Sequence, residues 1–174
     1  MWEGIGMGTR LLSEHLVKSQ FPHLRYVRIH SCGKNAAVIY AWNERLELPE
    51  RDEEALLRFA SLYLLPYVCF KVKPYAMVQA DGVPIAEPLP ECVEQAAMSR
   101  SLDQHRIAAV INGMLAGGSM HFTRYDVHTG VIHFDIRTGS AITDVEKELI
   151  GKYLSELIPL GASYVITYKQ FIPS

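Results

Sequence analysis

The sequence predicts an α+β protein of two similar units, with a mostly antiparallel sheet and helices on one face. Three observations carry this expectation. Apolar residues fall at helical and then at strand spacing in the order helix, strand, strand, helix, strand, and the order then repeats. Bulky apolar positions of the first set recur at nearly constant spacing in the second. A proline-rich stretch separates the two sets.

The first unit, residues 1–79, opens with a helix from about Thr9 to Gln20. Strands Leu24–His30 and Ala36–Trp42 follow, joined by a turn through Ser31-Cys32-Gly33-Lys34. The next helix, about Asp52 to Leu65, carries Leu56, Phe59, Ala60, Tyr63 and Leu64 on one stripe, and Pro66 ends it. Strand Val68–Lys73 completes the unit. In the linker, residues 80–91, Pro84, Pro88 and Pro90 exclude a central strand or a helix interior, and Asp81-Gly82 signals a turn. The second unit, residues 92–174, gives helix Asp103–Leu115, strands Met120–His128 and Val131–Thr138, helix Asp144–Ile158 and strand Tyr164–Phe171. One compact domain holding both units is the alternative organisation. Ser101 with Gln104, and Thr143 with Glu146, have the spacing of capping boxes.

The units align residue by residue. Leu24, Tyr26, Val38, Tyr40, Val68, Phe70 and Val72 meet Met120, Phe122, Phe134, Ile136, Tyr164, Ile166 and Tyr168 at an offset of 96. The second helices align at 94, pairing Leu56 with Ile150 and Ala60 with Leu154. A short strand at Tyr75–Gln79 would open the second unit as strand-helix-strand-strand-helix-strand, which resembles the ferredoxin-like order. The first unit would then need its opening strand from the glycine-rich residues 1–8.

Alternation sets an expected register for the second hairpin. With Thr129-Gly130 as the turn, Val127 faces Ile132, Tyr125 faces Phe134 and Thr123 faces Ile136. On the other face Asp126 meets His133 and Arg124 meets Asp135. The corresponding face of the first hairpin reads Leu24, Tyr26, Arg28, Ala37, Ile39 and Ala41. A solvated sheet face should be polar, so this half-apolar face is expected to be covered by the linker, the other unit or a second molecule.

Chemistry-bearing motifs are few. His30-Ser31-Cys32-Gly33-Lys34 could make a reactive thiol, but the second hairpin turns through His128-Thr129-Gly130 with no cysteine, so Cys32 reads as structural. His30 and Cys32 are two ligands where tetrahedral metal sites need three or four, and His128 is the only suggestive third, so no metal is expected. His121 and Tyr125 share a predicted strand face with Thr123 and could line a small pocket. Residues 4–10, GIGMGTR, precede a helix as phosphate loops do, but no strand leads into them.

Net charge of −2 and the absence of a basic stripe argue against nucleic acid, and no apolar run is long enough to span a membrane. Three cysteines, an odd number, fit reduced thiols in a cytoplasm. The expectation is a non-catalytic binding or regulatory protein acting through sheet and interface surfaces, with no catalytic residue and no cofactor. Leu24, Tyr26, Ile39 and Ala41 would form its association face in a homodimer. The competing class is a small enzyme or small-molecule sensor with a pocket between the units.

Overall fold

The computed structural model describes residues 8–64, 68–85 and 87–170. Residues 1–7, Leu65, Pro66 and Phe171, to which the sequence assigned a glycine loop, a helix end and a strand end, lie outside them. The protein is α+β with two similar units, each built on a three-stranded sheet. The first unit contains α1 (Arg10–Gln20), β1 (Tyr26–Gly33), β2 (Ala36–Trp42), α2 (Glu50–Phe59) and β3 (Cys69–Pro74). A short helix, α3 (Met77–Ala80), lies in the connection. The second unit contains α4 (Glu91–Ala97), α5 (Gln104–Asn112), β4 (Gly118–Asp126), β5 (Val131–Thr138), α6 (Asp144–Leu157) and β6 (Ser163–Gln170). In each sheet the first two strands are an antiparallel hairpin, and the third returns parallel after a helical crossover.

Local chemistry explains the helix boundaries. Thr9 caps α1 by accepting from Leu12 N at 3.2 Å. The capping box at Thr143 and Glu146 forms as expected. At α5 the expected Ser101 cap does not form. Asp103 caps that helix through Arg106 N at 2.8 Å, while Ser101 bonds Ser99 instead. The Tyr75–Gln79 strand is absent too: these residues form a turn and α3, so the second unit has three strands like the first and begins with a helix, α4.

The second hairpin differs from its expected register. Asp126 faces Val131, so the turn takes four residues, and Gly130 N donates to Asp126 O at 2.8 Å with φ of +70° at the glycine. Asp126 Oδ1 also accepts from His128 N at 2.9 Å. A bulge between Phe122 and Arg124 then shifts the pairing by one more residue. Arg124 therefore faces His133, and His121 faces Asp135. Asp135 has its ion pairs with Arg137 at 3.3 Å and Lys169 at 3.5 Å. Phe122, Phe134, Met120 and Ile136 close the face that packs on α5 and α6.

The first hairpin turns in two residues, Lys34 and Asn35, with Asn35 in the left-handed region at φ of +52°. Its register pairs Ile29 with Ile39, Val27 with Ala41 and Arg28 with Tyr40. Ile39, Ala41 and Leu24 thus belong to the core beneath α1 and α2, with Val17, Leu56 and Ala60. Their placement on an outer face is corrected. The 96-residue offset breaks inside the hairpin, because a bulge between Ser31 and Gly33 has no counterpart at the tip of the second hairpin, and a one-residue slip moves a side chain across the sheet. Of that set Tyr26 alone is exposed, at 45%, and it packs against Trp42 and Tyr75.

The outer face of the first sheet carries Val38 and Tyr40 instead of Ile39 and Ala41, and it is covered by the chain's own connection. Val83 packs on Val38 and Tyr40, flanked by Tyr75 and Val78. Two polar contacts hold the cover down. Tyr40 donates to Asp81 Oδ2 at 2.7 Å, and Lys73 reaches the same oxygen at 2.9 Å. Burial and this acceptor push the Tyr40 phenol up to about 12.

Helix α2 continues into a π-helical turn, Ala60–Leu64. A turn that takes more residues than an α-helical one rotates the stripe. Leu56 and Ala60 stay buried as expected, but Tyr63 swings out to 70% exposure, whereas Leu157 at the aligned position is buried.

Candidate functional site

The units interlock. Leu160, from the loop after α6, sits in the first core, and Leu11 of α1 packs on the second. Thr9 Oγ1 donates to Ala97 O at 2.6 Å, and Leu160 N donates to Gly8 O at 2.8 Å. The tip of the first hairpin docks on the second unit: Lys34 donates to the carbonyl of His128, and Asn35 N to Gly161 O at 3.1 Å.

Between these contacts lies a cleft of about 590 Å³. One wall is β1 with the start of α1, the opposite wall is α6 and the start of β6, and Pro84, Ile85, Glu87 and Leu89 of the linker border it. A charged network forms its floor. Arg10 and Glu14 stand one turn apart on α1, and Arg10 Nη1 donates to Glu14 Oε1 at 2.9 Å. The same oxygen accepts from Ile29 N at 2.8 Å, which fixes α1 against β1. Arg10 Nε crosses to Glu156 Oε2 of α6 at 2.9 Å. Burial opposes the charge on Arg10, but Glu14 and Glu156 outweigh it and hold the guanidinium above its usual pKa. Arg28 Nη2 donates to Pro84 O at 2.9 Å, and Lys152 pairs with Glu87. Leu89, Ile158, Leu160 and Tyr164 give the cleft an apolar wall.

The structure brings few of the sequence-predicted residues to this place. His30 and Ser31 line the cleft, while Cys32 lies on the surface. His30 has its pKa lowered, first by burial and then by the cations Arg28 and Arg10. Among the described residues no group of His, Cys, Asp and Glu could hold a metal ion. His121 and Tyr125 do not share a face. The bulge after Phe122 leaves His121 exposed on the outer side, bonded to Ser119 at 3.0 Å, and sends Tyr125 to the core side opposite Ile132. No described helix is long and apolar enough to cross a membrane.

No family model matches the sequence, and no curated protein matches it. Among solved structures, the chain is similar to one described as the PrgH periplasmic domain. The identity is 18%, over 89% of this chain and 68% of that one, with a TM-score of 0.32. A second, the periplasmic domain of the T3SS inner membrane protein PrgH from S. typhimurium, gives 17%, 91%, 69% and 0.32. Similarity at this level says nothing about what this chain binds.

Sequence reasoning missed Arg10, Glu14, Arg28 and Glu156. The four-residue spacing of Arg10 and Glu14 was a visible signal. The partnership with Glu156, 146 residues away, left no local trace.

Proposed function

We propose that this is a non-catalytic binding protein whose ligand sits in the cleft between the two units. The observation that carries this reading is the state of the cleft's polar groups. Arg10 is bonded to Glu14 and Glu156, Lys152 to Glu87, and the Ser155 hydroxyl to Gly151 O. A nucleophile needs a base within hydrogen-bond reach, and the Ser155 and Tyr164 hydroxyls here both donate to the Gly151 carbonyl instead. The volume suits a small molecule, since ligand pockets span roughly 300–1,000 Å³. N-phenyl-1-naphthylamine, a neutral dye that brightens in apolar sites, is expected to bind the wild type. Ser155→Trp, which places an indole in the cleft from an exposed helix position, is expected to abolish that binding. A dye signal that is absent, or unchanged in the variant, sinks the reading.

A second reading keeps association through a sheet surface and moves it to the second unit. One observation favours it: the outer face of the first sheet is covered by residues 75–83, while its counterpart presents exposed His121, Arg124, Arg137 and Val165. Val165→Glu should then disperse a homodimer in sedimentation, and a wild type that is monomeric at every concentration ends this reading.

A further inference from the structure

We infer that the cleft takes an amphipathic anion, an apolar body carrying a carboxylate or an equivalent single negative group, with that group against Arg28. The inference rests on the cleft being the binding site and adds the class of ligand.

The argument begins with Arg28, which is only 9% exposed and lines the cleft. A buried guanidinium is costly unless a carboxylate neutralises it at close range. Among the described residues the carboxylate that reaches Arg28 is Glu14, at 3.5 Å, beyond the roughly 2.7–2.9 Å of a good charge-assisted bond. That oxygen already serves Arg10 and Ile29 N at shorter range. Among the described residues the short bond of Arg28 goes to Pro84 O at 2.9 Å, a neutral carbonyl. Among the described residues Arg28 is therefore a buried cation with incomplete neutralisation, next to the cleft volume.

The charge of the lining points the same way. Arg10, Arg28 and Lys152 face Glu87 and Glu156 there, and Glu14 lies behind the wall. Glu156 is committed to Arg10, and Glu87 to Lys152. Glu14 is shared between Arg10 at 2.9 Å and Arg28 at 3.5 Å, so Arg28 is the cation with the weakest carboxylate partner among the described residues of the cleft. His30, its neighbour two residues on, has its proton disfavoured by burial and by Arg28 and Arg10, as a local positive field requires. Opposite stand Ile158, Leu160, Ala162 and Tyr164, which have no use for a second charge and suit a hydrocarbon or aromatic body. One end of the ligand is thus matched to β1 of the first unit, and the body to the second unit, so binding would tie the units together.

Displacement of N-phenyl-1-naphthylamine by three isosteric competitors tests this on the wild-type chain, with no variant that could fail to fold. Naphthalene-2-carboxylate should compete better than 2-naphthamide by roughly tenfold or more, and 2-naphthylmethylamine should be the weakest. Arg28→Met, where circular dichroism shows it folded, should level the carboxylate and the amide. Equal competition by carboxylate and amide on the wild type overturns the anion assignment and leaves the cleft as a neutral site. A dye that does not bind overturns both readings.

Discussion

Tyr40 donates its phenolic hydrogen to Asp81 Oδ2 across 2.7 Å, joining the central strand of the first sheet to a connection 41 residues further on. The bond holds residues 75–83 over the outer face of that sheet, where Val38 and Val83 meet. Tyr40→Phe should cost about 0.5–1.5 kcal/mol, the worth of one such bond. Hydrogen exchange should quicken at Val78 and Val83, whose amides bond within the connection, and stay slow in β1 and β2. Uniform quickening would mean that the cover and the sheet open together.

Asp81 gives that cover a pH dependence. Hydrogen bonds from Lys73 and then Tyr40 hold its carboxyl below the usual range. A carboxyl depressed in the folded state contributes stability above its unfolded pKa, about 3.9. That contribution is lost as pH falls through the lower folded value. Urea melts of wild type and Asp81→Asn should therefore differ at pH 7 and converge at the acid end. A difference that does not change with pH would assign the effect to packing.

Ile39 is fully buried between β1, α1 and α2. Ile39→Asp should unfold the protein or destabilise it by more than about 4 kcal/mol, because a carboxylate without a partner enters the core. Circular dichroism in urea reads this directly. A folded variant with altered self-association would return Ile39 to a surface.

Glu14 is 8% exposed and stands between two arginines. Glu14→Ala leaves both of them with a lost partner and should cost about 3–5 kcal/mol. Glu156→Ala removes the bond at the other edge of Arg10, where solvent has more access, and should cost less. Denaturant midpoints of the two variants check the order.

Gly118 faces Thr138 across β4 and β5, and a Cβ there would lie 2.7 Å from Thr138 Cγ2. Gly118→Ala should destabilise by about 1–3 kcal/mol through overpacking. Thr138→Ser removes that methyl and keeps the hydroxyl that bonds Ser140 O at 2.6 Å, so it should recover most of the loss in the double variant. Failure of the serine to rescue would place the clash at Arg137 O instead.

Elements were legible where their cause is local. Strands Ala36–Trp42 and Val131–Thr138 end where the periodicity ends, and the cap at Thr143 rests on residues three apart. The duplicated order was legible for the same reason, since each element carries its own pattern. Helix α4 was not, because its seven residues bury only Val93, Ala96 and Ala97, too few to show a period.

Which face each strand presents was decided by tertiary structure. A bulge between Ser31 and Gly33 in one hairpin and a bulge after Phe122 in the other each shift side chains across a sheet, while the two-residue and four-residue turns slide the pairing along it. The energies that select them come from packing against α1, α2, α5 and α6, which no window of sequence contains. The cleft has the same origin. Arg10, Arg28, Pro84 and Glu156 lie in four separate segments, and their charges and carbonyls come within bonding range only when both cores have formed. Local spacing specifies the helices and strands of this protein. The long-range pairing of buried charge and apolar surface sets their register and builds its site.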